Sequence, residues 1–172
     1  MISTSIINRV ATEEGVDPKL VAAFIQVESS NNEFAWRTES AYRYLWDVKT
    51  NKPFRALHQA EANNEVAPSD FFAAIGSRNT EWLGQQASWG PMQVMGAVAR
   101  EFKFKGHFPE LCGEAGVRIG CQLLRKLLDR YHAQYGNEGV AAAYNAGSPK
   151  LIGKKFANQE YVDKIMSAYG GQ

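Results

Sequence analysis

Apolar residues recur along most of the chain at intervals of three and four, the spacing that gathers them on one face of a helix. Asp17-Pro18 supplies a capping residue followed by proline at the first helical position. Leu20, Val21, Phe24, Val27 and Glu28 then share one side, and this helix is expected to run to about Ser30, where Ser29-Ser30-Asn31-Asn32 breaks it. Gly90-Pro91 reads as a second start, with Gln93 at the third helical position, from which a side chain can reach back to the cap. Met92, Met95, Ala99 and Phe102 are its expected buried face. The best amphipathic segment spans about Glu114 to Tyr135, with Val117, Cys121, Leu124, Leu128 and Tyr131 in helical register and Gly136-Asn137 as its terminator. A further helix over about Gly139 to Ala146 stops at Gly147, a candidate left-handed cap. The last starts near Asn158 and carries Tyr161, Val162, Ile165 and Tyr169.

Between Phe34 and Gln86 the period is lost and aromatic residues crowd in, among them Trp36, Tyr42, Tyr44, Trp46, Phe54, Phe71, Phe72 and Trp82. Short helical pieces are expected there, for example Ser69 to Ile75 behind Pro68, with a small hairpin conceivable within 40–60. No linker, repeat or charge block divides the chain. The expectation is therefore a mainly α fold, one domain over residues 1–172, with an irregular stretch at about 34–86.

Composition narrows the function classes. The 172 residues are 45% hydrophobic and 22% charged, and 19 basic against 18 acidic residues leave a net charge of +1. A chain of this length can bury about two-thirds of its unfolded surface in a single core. Near-neutrality argues against a nucleic-acid binder that relies on bulk phosphate attraction. No run approaches the roughly 18 consecutive apolar residues of a membrane span. The opening Met1-Ile2-Ser3-Thr4-Ser5-Ile6-Ile7-Asn8-Arg9 lacks the basic and long apolar regions of a secretory leader. Two cysteines, Cys112 and Cys121, are expected as reduced, partly buried thiols, although a bridge between them remains open. Scattered His58, His107 and His132 give a structural zinc site no support. Phosphate-binding glycine loops, His-Glu-x-x-His and Gly-x-Ser-x-Gly do not occur.

The unusual residue is Glu28. It lies on the apolar face of its helix, where loss of water raises a carboxyl pKa and keeps the group protonated towards neutral pH. A protonated carboxyl in a cleft is what glycosidic bond cleavage needs as general acid. On periodicity alone, the commoner alternative is a helix-terminal glutamate that reaches solvent or caps a neighbouring backbone.

Three segments in order decide between these. Glu28-Ser29 is followed by Ala87-Ser88-Trp89-Gly90-Pro91-Met92-Gln93-Val94-Met95 and then by Ala143-Tyr144-Asn145-Ala146-Gly147. They resemble the Glu-Ser, Gly-x-Met-Gln and Ala-Tyr-Asn-Ala-Gly signature of the lytic transglycosylases of the lysozyme superfamily, over about residues 17–169. The resemblance implies a lysozyme-like helical domain that cleaves peptidoglycan. It makes Glu28 the sole catalytic acid/base. It places Met92 and Gln93 along the saccharide cleft, and Tyr144 and Asn145 on the sugar and the catalytic carboxyl. Tyr161 resembles the aromatic of the family's closing segment. Two departures stand out. The 64 residues between Glu28 and Gln93 (29–92) exceed the family's usual short spacing, which makes 34–86 an insertion of the kind that phage and prophage wall-degrading proteins carry. The serine that usually follows the Glu-Ser pair has no clear counterpart, and Ser88 is the candidate to replace it.

Within the insertion, Trp36, Tyr42, Tyr44 and Trp46 offer a platform for pyranose stacking, with ordinary packing the expected state of any one of them. Glu39 is a candidate second carboxylate at the substrate, or a surface partner of Arg37 or Arg43. The mechanism implied by the resemblance needs one carboxylate, no metal and no cofactor. Glu28 protonates the oxygen between N-acetylmuramic acid and N-acetylglucosamine. The muramyl N-acetyl carbonyl attacks the anomeric carbon, and Glu28 then takes the 6-hydroxyl proton as a 1,6-anhydro ring closes. One alternative is a hydrolytic muramidase resembling goose-type lysozyme, with water delivered by Glu39 or Asp47. A second is a peptidoglycan-binding virion protein without activity. The expected partner is the glycan strand, with no nucleic acid and no membrane insertion, and the expected state is a monomer. Made in a host cytoplasm without a signal peptide, it would reach the periplasm or wall through a holin or as part of a virion.

Overall fold

Asp17 begins the central helix as the sequence requires: its carboxylate accepts from the Lys19 backbone N–H at 2.9 Å, and Pro18 follows at the first turn. The computed structural model describes residues 1–39, 42–58, 60–61 and 64–171. Positions 40–41, 59 and 62–63 of the expected insertion, parts of which also fall within the expected 40–60 hairpin, lie outside the described residues. In chain order the helices are α1 (Thr4–Glu13), α2 (Pro18–Ser29), α3 (Arg78–Gln85), α4 (Gly96–Glu101), α5 (Glu114–Ala146) and α6 (Gln159–Gly170). The strands are short: β1 (Trp36–Thr38), β2 (Trp46–Asp47), β3 (Lys52–Pro53), β4 (Ala87–Trp89), β5 (Val94–Met95), β6 (Leu151–Ile152) and β7 (Lys155–Phe156). The fold is mainly α, as its periodicity implies.

Helix α5 runs through the main core with α1 and α6 against it, and α2 packs on both α1 and α6. Phe24, Met92, Leu124, Val140 and Ile165 are among the apolar side chains fully enclosed between them. Gly136 breaks α5 with φ +60°, a backbone state that glycine adopts without the strain of a side chain. This is the expected stop at Gly136-Asn137. The segment after it carries Tyr144 and ends at Gly147. Helix α1 was not expected. Its signal is nevertheless present: Ser3 caps the Ile6 N–H, and Ile7, Val10 and Ala11 turn inward at helical spacing.

Two expectations fail. Ser69 to Ile75 is not helical. Phe71 N–H closes a turn on the Pro68 carbonyl, and the Ser69 carbonyl is taken by the Arg78 guanidinium, while Phe71 plunges into a core. Gly90-Pro91 does not start a helix either. Gly90 has φ +71° and Gln93 φ +47°, so residues 90–93 form a turn between β4 and β5, and α4 begins only at Gly96. The alternative won because β4 pairs with both β1 and β5, a contact across the chain that no local pattern reports.

Residues 34–86 build a second, smaller core. Leu45, Ala67, Phe71 and Trp82 pack with Ala97 of α4, and Phe71 meets Phe54 and Trp82 edge-on, each at 5.1 Å between ring centres. The β2–β3 hairpin lies within the range where one is conceivable from sequence. A buried ion pair ties this core to α4. The Arg100 guanidinium grips both oxygens of Glu81 at 2.7 and 3.0 Å, donates to the Phe104 and Gly106 carbonyls, and leaves Gln85 to bridge Glu81 to Trp46. Cys112 is half-buried and Cys121 buried, and both are free thiols.

Candidate active site

Glu28 occupies the last turn of α2, where the helix packs on α6. Helix α6 brings Tyr161 to it, and the Tyr161 hydroxyl donates to Glu28 Oε1. Burial pushes the Glu28 carboxyl above its ordinary value, opposed by that hydrogen bond and by the positive charge of Arg37. The same burial, with the negative Glu28 beside them, drives the phenols of Tyr161 and Tyr144 far upward, so both remain neutral donors. The site thus presents a carboxyl that resists ionisation, held by a phenol that can stabilise it once ionised.

Tyr144 projects from the second half of α5. Its ring rests against Phe24 at 4.6 Å, and its hydroxyl donates to the Met92 carbonyl at 2.7 Å. Met92 itself is core: its side chain fills the space above Gly120. Its contribution to the site is therefore a backbone oxygen. Asn145 is exposed, and its side-chain oxygen accepts from Asn158 Nδ2 at 2.9 Å, which also donates to the Ala142 carbonyl. In the sequence, Asn158 signals only the start of a helix. Its position just before α6 lets it clamp that helix to α5 beside Tyr161.

Gln93 and Ser88 form a separate hydrogen-bonded group. Ser88 Oγ donates to Gln93 Oε1 at 2.9 Å, and Gln93 Nε2 donates to the Ala35 and Gly90 carbonyls at 3.1 and 2.9 Å. Gln93 thereby fastens the 90–93 turn to the segment that enters β1. That strand carries Trp36 and Arg37. Arg37 holds Glu39 in an ion pair, and its positive charge also acts on Glu28. Trp36 is 61% exposed and stacks on Trp89, which stacks in turn on Phe108, at 5.9 and 5.8 Å between ring centres. Of the other aromatics, Tyr44 is exposed while Tyr42 packs on the smaller core. Among the described residues, no three His, Cys, Asp or Glu side chains converge as metal ligands.

The Transglycosylase SLT domain model matches residues 5–166. The chain belongs to the transglycosylase SLT domain family. It is accordingly a lytic transglycosylase, a lyase that cleaves the glycosidic bonds of peptidoglycan, built on the mainly α, lysozyme-like fold. The match extends across α2, the Met92-Gln93 turn, α5 and most of α6, and it includes the second core formed by residues 34–86. No curated protein and no solved structure matches the chain. Among the described residues of this transglycosylase, no helix is long and apolar enough to cross a membrane.

Proposed function

We propose that Glu28 is the single acid/base of the transglycosylase and that the bond it breaks joins N-acetylmuramic acid to N-acetylglucosamine. The observation that carries this reading is the hydrogen bond from Tyr161 to a desolvated Glu28 carboxyl. Protonated, Glu28 gives its proton to the bridging oxygen. As negative charge develops on it, the Tyr161 hydroxyl stabilises that charge without reorganising. The muramyl N-acetyl oxygen bonds to the anomeric carbon as the bond to the protonated N-acetylglucosamine oxygen breaks. Ionised Glu28 then accepts the 6-hydroxyl proton while that oxygen displaces the acetyl oxygen from the anomeric carbon, which closes the 1,6-anhydro ring. Tyr144, Asn145 and the Met92 carbonyl line the sugar's position, while Gln93 and Ser88 hold the turn that supports them. Trp36, exposed on the edge of β1, offers its face for pyranose stacking.

A hydrolase would need a second base to activate water. Both candidates already hold partners of their own. Glu39 pairs with Arg37. The Asp47 carboxylate accepts from the Lys49 and Thr50 backbone N–H groups and from the Thr50 hydroxyl, which commits it to its own turn. These engagements favour the anhydro product. The biological setting that fits the aromatic-rich insertion is wall degradation by a phage, at lysis or during infection, with the chain acting as a monomer on glycan strands.

Digestion of purified peptidoglycan followed by mass spectrometry of the fragments tests the reading. Anhydro ends, lighter by one water than reducing ends, are expected, and Glu28→Gln should lower their release by about a hundredfold or more. Reducing ends as the main product would make the enzyme a muramidase. Undiminished release by the variant would remove Glu28 from the chemistry.

A further inference from the structure

Asn158 stands at the start of α6 but does not cap it with its side chain. An asparagine in that place ordinarily turns its side-chain oxygen to the N–H of the second or third helical residue. Asn158 makes no such bond, and its half-buried side chain reaches across to α5 instead. That reach settles which way round two amides sit. The Ala142 carbonyl can only accept, so the Asn158 atom 3.1 Å from it is the nitrogen Nδ2. That nitrogen is only a donor, so the Asn145 atom it meets at 2.9 Å is the oxygen Oδ1. An amide nitrogen carries two protons, and both bonds are served at once. With Oδ1 turned to Asn158, the Asn145 Nδ2 points away from it, on an exposed residue. The Asn158 backbone has a separate duty. Its carbonyl accepts from the Tyr161 and Val162 N–H groups at 3.0 and 3.2 Å and so closes the first turn of α6.

We propose that Asn158 is a positioning residue for the saccharide: its side chain fixes the Asn145 amide so that Nδ2 faces the sugar as a donor. The inference rests on the reading that Asn145 lines the sugar's position, and it adds the polarity of that contact. The matching group on the substrate is an acceptor oxygen, of a hydroxyl or an acetyl carbonyl, and not an amide N–H. An unheld amide would spend part of its time with its oxygen outward, which sets two acceptors against each other. Asn158 removes that state before the substrate arrives, so the cost of ordering Asn145 is met in folding instead of in binding.

The test is the affinity of a peptide-free tetrasaccharide of alternating N-acetylglucosamine and N-acetylmuramic acid for Glu28→Gln protein, measured by titration calorimetry. Asn145→Ala should weaken binding by about three- to tenfold, the worth of one neutral hydrogen bond. Asn158→Ser keeps a good capping residue at the start of α6 and removes the amide that meets Asn145. It should weaken binding by about threefold. The two changes together should bind no more weakly than Asn145→Ala alone, because Asn158 acts through Asn145. In the active enzyme, Asn158→Ser should leave in place the pH at which kcat/KM falls as Glu28 ionises, since the Asn158 backbone still closes the turn that carries Tyr161. Losses that multiply in the double variant overturn the proposal, and so does an unchanged affinity in either single one. A limb moved to higher pH overturns it too, because Asn158 would then act on Tyr161 and Glu28. Binding is read without turnover, so a failure to form anhydro ends counts against Glu28 chemistry and leaves the comparison of the two asparagines intact.

Discussion

Removing one oxygen, by Tyr161→Phe, tests how Glu28 is tuned. The ring and its packing stay, and Glu28 loses the hydroxyl that donates to it. A hydrogen bond to a charged group is worth about 1.5–3 kcal/mol. At about 1.4 kcal/mol per tenfold change in rate, the bond-breaking step should slow by about ten- to a hundredfold, because the hydroxyl stabilises charge that Glu28 acquires in that step. The pH dependence gives the sharper readout. Tyr161 favours the ionised carboxyl while burial disfavours it. Its loss must therefore raise the affinity of Glu28 for its proton. Because the acid step needs protonated Glu28, kcat/KM falls as pH rises through this pKa, and in the variant that limb moves to higher pH. Release of anhydro-ended fragments, followed from about pH 4 to 9, measures both quantities. A limb that stays in place or moves to lower pH, with a rate within about twofold of the unaltered enzyme, would refute the assignment of Tyr161.

The same carboxyl has a thermodynamic signature. Burial holds its pKa above the ordinary 4.5, so the native state keeps the proton where the unfolded chain has lost it. Stability contributed by the protonated form is complete below the unfolded value and is lost as pH rises through the folded one. Glu28→Gln should therefore raise Tm near about pH 8 and leave it unchanged near about pH 3, and a lowered Tm at the higher pH would contradict the desolvation argument. Arg100→Met strands Glu81, which is fully enclosed, and should cost about 3–5 kcal/mol in urea unfolding. Glu81→Leu/Arg100→Met should recover most of that loss, and failure to recover it would mean that the pair contributes more than mutual neutralisation. Gly90→Ala would set a methyl 1.9 Å from the Leu111 carbonyl oxygen at φ +71°. It should cost more than the roughly 1–2 kcal/mol of the left-handed backbone alone and depress kcat by moving the Met92-Gln93 turn. A variant as stable and as active as the parent would show that the turn can yield.

Much of this molecule is local. The cap at Asp17, the period of Leu20 to Glu28, the break at Gly136 and the α6 face of Tyr161, Val162 and Ile165 follow from interactions within four residues, which a single sequence displays. So does the place of Glu28 on the apolar side of its helix. It is the packing of α2 on α6 that makes the carboxyl lose its water instead of reaching solvent from the helix end. The partners of that face are another matter. Tyr161 meets Glu28 across 133 residues, Gln93 ties to Ala35 across 58, and Arg100 reaches Glu81 across 19. None of these distances leaves a periodic trace. The turn at Gly90 shows the consequence, since its glycine-proline pair obeys the rule for a helix start and the strand pairing of β4 overrides it. Short-range propensity is worth a few tenths of a kcal/mol per residue, whereas pairing and burial act on whole segments at once. Where most of the helices form, and on which side of its helix Glu28 lies, are thus written in the order of residues along the chain. What touches that carboxyl is written only in the packed fold, because the groups that tune it come from elements that meet once the chain has closed on itself.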